Sequence, residues 1–285
     1  MSPARAAAVF THRRPAESAG ALSELIAAAR AASVELRFDA SETAKHGLQP
    51  GPGLVLDAQV EEPPDLAIAL GGDGTILSAL RRYAGRGVPV FAVNFGEIGF
   101  LAAVEPDGAA VGFGRAFAGD YEIFDLPAIE VVGQDGPHAA MNDVSVHRAR
   151  GGRVADLAYA VAGEEVGRVR CDGLVIATPA GSTGYNLANG GPLLAWGVEG
   201  FAVSFIAPHS LTARALVVAP DDVLRVDNNS GEEAVEVFID GRPAFDLAPA
   251  GSLEARFVPD QGRLAQLPGS SFYQRLRAKF GRLAS

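Results

Sequence analysis

One carboxylate among closely spaced glycines is the most reactive-looking feature of the chain: Gly71, Gly72, Asp73, Gly74 and Thr75 follow one another. Glycine permits positive φ angles and allows a ligand to approach the backbone closely. Where such a turn opens a helix, free N–H groups and a partial positive charge favour a bound phosphate. These residues therefore predict a phosphate-binding turn with Asp73 at its mouth. The alternative is a plain strand-to-helix turn in which Asp73 only caps the helix.

A second glycine-rich stretch, residues 172–192, offers hydroxyl and amide groups. Ser182, Thr183, Tyr185 and Asn186 lie among its glycines, where they could satisfy the polar edges of a nucleotide while the Tyr185 ring stacks on a base. The simpler interpretation is a capped helix start with Ser182 or Thr183 as the N-cap. Both interpretations can hold together.

Two weaker candidates complete the polar inventory. Asn142 and Asp143 form a polar pair inside the strand-like run 141–146, which an ordinary turn would also explain. Several arginines fall close together and predict either a phosphate-binding surface or a solvated face. They are Arg148, Arg150, Arg153, Arg168 and Arg170.

The elements that position these residues alternate between strands and helices in the first part of the chain, which predicts a parallel sheet. The glycine turn follows the apolar run 66–70, which is typical of a buried strand, and precedes a helical pattern. Strands are predicted at residues 6–10, 34–38, 54–60, 66–70 and 88–93, and helices at residues 20–32 and 109–117, with mixed signals at 41–53.

After about residue 120 the pattern changes to short β-type runs separated by Gly, Asp and Asn turns. The predicted strands are 121–132, 139–148, 154–162, 174–178, 201–206, 223–226, 235–239 and 253–257. One helix is expected near Thr183, and Phe272, Leu276, Phe280 and Leu283 predict an amphipathic helix at the end. We therefore predict an α/β domain at 1–119, a β-rich domain at 120–270, and a C-terminal helix at 271–285 that could cap either one.

Composition limits the function classes. The formal net charge of -10 argues against a general nucleic-acid or membrane-surface binder. With Cys171 as its one cysteine, the chain has no disulfide framework and no cysteine metal cluster. It lacks a signal-peptide pattern and a run of ~18 apolar residues, so we expect a cytoplasmic protein without membrane partners. Lys45 and Lys279 do not follow a glycine loop, which excludes a P-loop.

Several motifs, taken together and in order, resemble those of the NAD kinase family. They are GGDGT at 71–75, NFGEIGFL at 94–101, MNDV at 141–144, the long DGLVIATPAGSTGYNLANGGP at 172–192, PHSLTARALVV at 208–218 and FIDGR at 238–242. Diacylglycerol kinases, sphingosine kinases and 6-phosphofructokinases share similar glycine–aspartate turns. The stretch 181–192 is far more specific to NAD kinases.

The resemblance implies an α/β domain joined to a β-rich, sandwich-like domain. It implies phosphoryl transfer, from ATP or polyphosphate, to the 2′-hydroxyl of the adenosine ribose of NAD, with Asp73 as general base. Because the sequence shows no metal-ligand cluster, we expect Mg²⁺ to arrive with the nucleotide. The resemblance also implies a homodimer or homotetramer. Nucleotide contacts carry over from the family to Gly71, Gly72, Gly74, Thr75, Asn142, Asp143, Arg153, Arg170, Asp172, Thr183, Gly184, Tyr185, Asn186, Leu187, Ala188 and Arg242.

Within this set, the ribose and nicotinamide contacts carry over to Asn142 and Asp143, and the adenine-side pocket to residues 183–188. Asp172 often reaches across a subunit interface in such enzymes. The chain departs from the family pattern at Asp143, where glutamate is common, at Ile98, where leucine is common, and at Ala188, where serine is common. Two other functions stay open at this point: a lipid or small-molecule kinase with the same glycine turn, and a non-catalytic NADP-binding protein.

Overall fold

The computed structural model describes residues 2–59, 62–96, 99–133 and 136–281. It divides the chain into two compact units. Unit 1 contains Met1–Asp125 and Gly262–Ser285, and unit 2 contains Leu126–Gln261. Unit 1 is therefore built from both ends of the chain. Ile98 and Leu283, named above, lie outside the described residues.

Unit 1 has a parallel sheet flanked by helices. Its strands are β1 (Ala6–Thr11), β2 (Glu35–Arg37), β3 (Leu54–Val55), β4 (Leu66–Gly71) and β5 (Pro89–Asn94). Its helices are α1 (Pro15–Ala32), α2 (Ala40–His46), α3 (Asp73–Arg82), α4 (Ala109–Phe117) and α6 (Phe272–Phe280), the last being the final helix of the described chain.

The strands lie in the order β5-β4-β1-β2-β3, and each neighbouring pair is parallel. Every residue of β4 and β5 is buried, as expected for central strands covered on both faces. The core combines strand residues such as Leu66 and Ile68 with Leu25 of α1 and Phe113 of α4. This core fixes the carboxyl ends of β4 and β5 side by side, where polar loop residues begin.

Unit 2 consists almost entirely of strands. They are β6 (Glu122–Gly133), β7 (Gly136–Ala140), β8 (Asp143–Arg148), β9 (Ala155–Val161), β10 (Glu164–Cys171), β11 (Gly173–Ala177), β12 (Phe201–Ile206), β13 (Leu216–Val218), β14 (Leu224–Asn228), β15 (Val235–Ile239), β16 (Arg242–Leu247) and β17 (Ser252–Gln266). The first residues of β6 and the last residues of β17 belong to unit 1. The one α-helix of the unit's described residues, α5 (Tyr185–Ala188), follows a 3₁₀ turn at Gly181–Thr183.

Two antiparallel layers enclose the core of unit 2. One layer has the order β13-β12-β11-β8-β15-β16, and the other contains β10-β9-β14-β17. Apolar side chains from both layers, among them Val146, Ile176, Leu157 and Val226, form one cluster. The α/β unit with a parallel sheet and the antiparallel unit confirm the predicted fold class.

The structure corrects several element predictions. Helix α1 begins at Pro15 instead of residue 20, because proline fits the first position of a helix. The run 139–148 is two strands, β7 and β8, separated by Met141 and Asn142. Strands β10, β13 and β16 were missed; β10 in particular is mostly exposed and polar. Strand β17 runs far beyond residue 257, and its end at Arg263–Ala265 pairs in parallel with β5.

Candidate functional site

The glycine turn connects β4 to α3 as predicted, but its glycines serve packing and not unusual dihedral angles. Gly72 is the N-cap with φ -84°, and Gly71 and Gly74 also avoid positive φ. A Cβ on Gly71 would lie 2.2 Å from the Thr75 hydroxyl, and one on Gly72 would lie 3.3 Å from the Gly96 Cα. Close approach is therefore the reason for glycine at these two positions. Gly74 has open space around its Cα and is exposed.

Asp73 is the first residue of α3, and its carboxylate is directed at a neighbouring loop. Its Oδ2 accepts the Phe100 N–H at 3.2 Å, and its Oδ1 accepts the Leu101 N–H at 3.2 Å. The N-cap position belongs to Gly72, which provides no side-chain cap. The interpretation of Asp73 as a cap is therefore wrong. Because each oxygen accepts one N–H, the carboxylate keeps lone pairs for a further donor.

The surroundings of Asp73 shift its acidity in opposing directions. Burial raises the pKa of the carboxyl group, and this effect prevails. Hydrogen bonds from Leu101 and Phe100 and the positive charges of Lys279 and Arg275 act the other way. The result is a partly buried carboxylate with an elevated pKa, a property that suits a proton acceptor.

The start of the loop that carries Phe100 and Leu101 has its own polar anchors. Asn94, the last residue of β5, accepts the Gly96 N–H at 3.0 Å and donates to the Glu105 carboxylate at 3.0 Å. Glu105 also lies 3.6 Å from the Lys279 ammonium group of α6. A Cβ on Gly99 would lie 2.6 Å from the Asn94 amide, so glycine is required there. These contacts fix the positions of Asn94, Gly96 and Gly99.

In unit 2, the second glycine-rich stretch lies against the start of β8. The Thr178 hydroxyl donates to the Met141 carbonyl at 2.8 Å and accepts the Gly181 N–H at 3.0 Å. A Cβ on Gly181 would lie 2.0 Å from the Asn142 carbonyl oxygen, so no larger residue fits. This contact brings Asn142 and Asp143 to the turn that carries Thr183 and its neighbours.

Asp240 holds the polar pair in place, and the sequence reasoning missed it. Its carboxylate accepts the N–H groups of Met141 at 3.2 Å, Asn142 at 2.7 Å and Asp143 at 3.2 Å. It follows β15, which pairs directly with β8. The only signal in the sequence was the Asp-Gly pair within FIDGR, which by itself indicates no more than a turn.

The side chains of Asn142 and Asp143 each have an unusual property, the first in its hydrogen bonding and the second in its pKa. The Asn142 Oδ1 atom is buried and accepts no hydrogen bond from the described residues, a costly arrangement unless a ligand supplies a donor. The pKa of Asp143 is raised to about 7, first by burial and second by the negative charge of Asp240. Asp143 therefore changes its charge near neutral pH, inside the predicted nucleotide pocket.

Replacing Asp143 with asparagine is expected to stabilise the protein more at pH 8 than at pH 5. In the unfolded chain the group has a pKa of ~3.9, so between that pH and about 7 the folded state binds more protons and unfolding becomes easier as pH rises. Asparagine does not ionise, so the variant avoids this loss of unfolding free energy, which amounts to up to a few kcal/mol at ~1.4 kcal/mol per pKa unit. Thermal unfolding at both pH values checks it, with the exposed Asp246→Asn as control. An equal change at both pH values would contradict the shifted pKa.

Tyr185 stands at the start of α5, and the residue is 37% exposed. One face stacks on the His147 imidazole, with ring centroids 5.8 Å apart and planes 12° from parallel. His147 in turn meets the Phe238 ring nearly edge-on. Burial is the main cause that raises the pKa of Tyr185, and the negative charges of Asp143 and Asp172 add to it, so these three residues share one environment.

The neighbours of Tyr185 divide into structural and exposed groups. Asn186 is fully buried and donates to the carbonyls of Ser182 at 3.1 Å and Pro192 at 2.9 Å, which closes the turn. Thr183 donates to the Ala180 carbonyl. Gly184 is the N-cap of α5, so the predicted capping by Ser182 or Thr183 is wrong. Gly184 and Ala188 are exposed and Leu187 is half-buried, and a nucleotide contact by residues 183–188 stays a prediction.

The arginines of unit 2 do not form one cluster of available cations. Arg148 donates to Asp172 at 2.7 Å, and Arg168 binds both oxygens of Asp156. These two arginines fit the interpretation of a solvated, charge-paired face. Three further candidates, Arg153, Arg170 and Arg242, have exposed side chains.

The described residues contain neither a cluster of metal-ligating side chains nor a helix suited to span a membrane. In residues 2–59, 62–96, 99–133 and 136–281, no three His, Cys, Asp or Glu side chains are grouped to hold a metal ion. Over the same residues, no helix combines the length and apolar character that crossing a membrane demands.

Comparisons with known proteins agree in both units. A family model described as the ATP-NAD kinase N-terminal domain matches residues 14–121, and one described as the ATP-NAD kinase C-terminal domain matches residues 141–264. A curated NAD kinase from Gemmatimonas aurantiaca is 35% identical over 227 residues, which cover 78% of each chain. One from Symbiobacterium thermophilum is 37% identical and covers 75% of this chain and 78% of the relative.

Two solved structures share the fold. An NAD kinase from Archaeoglobus fulgidus in complex with ATP has a TM-score of 0.73 and 25% identity, covering 97% of both chains. The yeast NADH kinase complexed with NADH has a TM-score of 0.88 and 21% identity, covering 99% of this chain and 89% of that one. At that identity the second likeness concerns the fold alone.

Proposed function

Because this chain belongs to the NAD kinase family, and so to the phosphotransferases with an alcohol acceptor, we propose that Asp73 is the general base of its reaction. The reaction is phosphoryl transfer from ATP to the 2′-hydroxyl of the adenosine ribose of NAD, which gives NADP. The observation that carries the proposal is the Asp73 carboxylate, fixed by two backbone N–H groups at the glycine turn. Family membership also sets aside the two alternatives, a lipid kinase and a non-catalytic NADP-binding protein.

The reaction does not require a strong base. In a loose phosphoryl-transfer transition state, the attacking hydroxyl becomes acidic only as its bond to phosphorus forms. An ionised Asp73 can therefore orient the hydroxyl and accept its proton late. Such a base contributes typically ~10²–10⁴-fold to the rate. Alignment of the two substrates supplies much of the remainder.

The start of α3 is suited to bind the phosphates of the donor. This helix begins at the glycine turn without a side-chain cap, so its backbone N–H groups and its dipole favour an anion. We propose that Mg²⁺ comes with the donor and keeps most of its waters, since a single carboxylate, Asp73, stands at the turn among residues 71–75. Polyphosphate presents the same anionic groups, and we propose it as a second donor.

In unit 2, we propose that the turn at 178–188 and the pair Asn142 and Asp143 bind NAD. The buried Asn142 Oδ1 atom accepts no hydrogen bond from the part of the chain that the structure describes, and we propose that the ligand donates one. Tyr185 presents a ring that is supported from behind by His147 and open enough to meet a base. The exposed Arg153, Arg170 and Arg242 are proposed to meet the negative charges of the dinucleotide.

A coupled assay tests the reaction and the donor together. Formation of NADP is followed with an NADP-specific dehydrogenase, using NAD and ATP with Mg²⁺. Parallel reactions replace ATP with polyphosphate, NAD with NADH, or Mg²⁺ with EDTA. Turnover with ATP and its loss with EDTA are expected. Absence of NADP with either donor would contradict the proposed reaction.

We also propose a homo-oligomer, a dimer or tetramer, with unit 2 at the interface, as the family resemblance at Asp172 implies. Light scattering at micromolar concentration is expected to give a mass at least twice that of the 29.4 kDa chain. A fully active monomer under these conditions would refute the proposal.

A further inference from the structure

The short segment from Phe100 to Ala102 is bound from both sides of its backbone. On one side, the N–H groups of Phe100 and Leu101 donate to Asp73. On the other side, its carbonyl oxygens accept from two side chains near the end of the chain, Gln266 and Arg275. All of these residues belong to unit 1.

Arg275 and Gln266 together donate hydrogen bonds to the carbonyl oxygens of this segment. Arg275 donates to the Phe100 carbonyl at 3.3 Å and also to the Ala102 carbonyl. Gln266 is fully buried and donates to the Leu101 carbonyl at 2.7 Å. The guanidinium group also donates to the Gln266 side-chain oxygen, which fixes the orientation of that amide. Gln266 and Arg275, which are hydrogen-bonded to each other, thus donate to the three successive carbonyls of the segment.

Helix α6 brings Arg275 to this position through aromatic packing. Its residues Phe272 and Phe280 both contact the Phe100 ring, with centroid distances of 6.2 and 5.5 Å. The Ser271 hydroxyl caps the helix by accepting the Gln274 N–H at 3.1 Å. Arg275 lies between the two phenylalanines in sequence and is partly buried. The helix therefore presents the guanidinium group to the backbone of the segment and not to solvent.

The positive charge of Arg275 lowers the pKa of Asp73 against the larger, opposite effect of burial. Burial lowers the pKa of Arg275, while the charges of Asp73 and Glu105 oppose that effect. The described charged groups that act on Asp73 are Arg275 and Lys279, both from α6, and Lys279 is itself near Glu105. Peptide groups between a cation and a carboxylate polarise one another and strengthen the chain of hydrogen bonds.

We propose that Arg275 is a positioning residue for phosphoryl transfer: by binding the carbonyls of Phe100 and Ala102, it orients the N–H groups that hold the Asp73 carboxylate. This inference rests on the proposed role of Asp73 as general base. Arg275 itself contacts neither substrate in this account and acts only through the segment. The geometry requires a forked donor, so lysine at this position would retain the charge and lose the pairing.

The test compares Arg275→Met and Arg275→Lys with Arg277→Met, an exposed arginine on the same helix. Since a small misplacement of a catalytic group can cost ~10²-fold, we expect Arg275→Met to lower kcat by about 10- to 100-fold. KM for NAD and ATP should stay within about threefold, because binding groups are untouched. The acid limb of the kcat–pH profile should move to higher pH in Arg275→Met and less in Arg275→Lys. Arg277→Met should match wild type.

A double-mutant cycle separates this inference from the role of Asp73. If Arg275 acts through Asp73, adding Arg275→Met to Asp73→Asn should cause little further loss of kcat. If Asp73→Asn alone keeps turnover, the general-base proposal fails, whatever Arg275 does. If Asp73→Asn is inactive while Arg275→Met keeps the kcat and the acid limb of wild type, the positioning role is refuted. If Arg275→Met lowers only the Tm and leaves kcat and the acid limb unchanged, Arg275 is purely structural. If Arg275→Met does not fold, the kcat and the acid limb of Arg275→Lys provide the test.

Discussion

Replacing Asp73 with asparagine is expected to lower kcat by about two orders of magnitude or more, since a positioned general base contributes ~10²–10⁴-fold. Asparagine cannot accept the proton of the ribose hydroxyl, although it fills the same space. NAD should still bind within a few fold, because the proposed contacts of unit 2 are unchanged. Steady-state kinetics of NADP formation, with the binding of NAD measured separately, provide the check.

The exposed Asp107 provides a matched control in the same unit, and Asp107→Asn should retain full activity. Asparagine at position 73 presents an NH₂ group to one of the loop N–H groups, so the Tm of each variant must be measured. Wild-type activity should decline as the pH falls through the pKa of Asp73, which lies above the usual range of aspartate. Near-normal turnover of the Asn variant would remove Asp73 from its proposed role.

Replacing Tyr185 with alanine is expected to raise KM for NAD far more than KM for ATP. Stacking of an aromatic side chain on a base is worth ~1–3 kcal/mol in nucleic-acid binders. That energy corresponds to roughly 5- to 150-fold in affinity at ~1.4 kcal/mol per decade. Tyr185 is 37% exposed and its ring stacks on His147, so removal of the ring should cost less stability than the loss of a core tyrosine.

Two further variants show which property of Tyr185 matters. Tyr185→Phe keeps the ring and should keep the KM for NAD. Tyr159→Ala removes a buried tyrosine of the same unit and should lower Tm while leaving both Michaelis constants alike in the folded molecules. If Tyr185→Ala behaves like Tyr159→Ala, Tyr185 is a structural residue, and the proposed adenine pocket around it is weakened.

Structure can be predicted from this sequence where local chemistry determines it. The apolar run before Gly71 can hardly be anything other than a buried strand, and β4 extends over Leu66–Gly71. Prediction failed where an element depends on distant partners. Strand β10 carries a polar, mostly exposed sequence and is a strand because it pairs along its length with β9. The prolonged β17 contains Pro259 and Gly262, which locally indicate a turn.

The same distinction applies to the site. Asp73 was identified because glycines surround it, but the direction of its carboxylate depends on Phe100 and Leu101. Asp240, Gln266 and Arg275 were not identified, because their partners are backbone groups far away in the chain. A side chain that binds backbone N–H or C=O groups leaves no complementary residue type in the sequence. Its function can be inferred only after the fold is known.

The two-ended construction of unit 1 has a consequence for biosynthesis. Asp73 leaves the ribosome about 200 residues before Gln266 and Arg275, although all three belong to unit 1. At ~5–20 residues per second, the interval is on the order of 10 to 40 s. Throughout this interval the segment from Phe100 to Ala102 lacks the two side chains that donate to its carbonyls. A chain terminated between Arg242 and Gln266 would therefore carry every predicted nucleotide contact and still lack both side chains, so we expect it to turn over more slowly than the full chain.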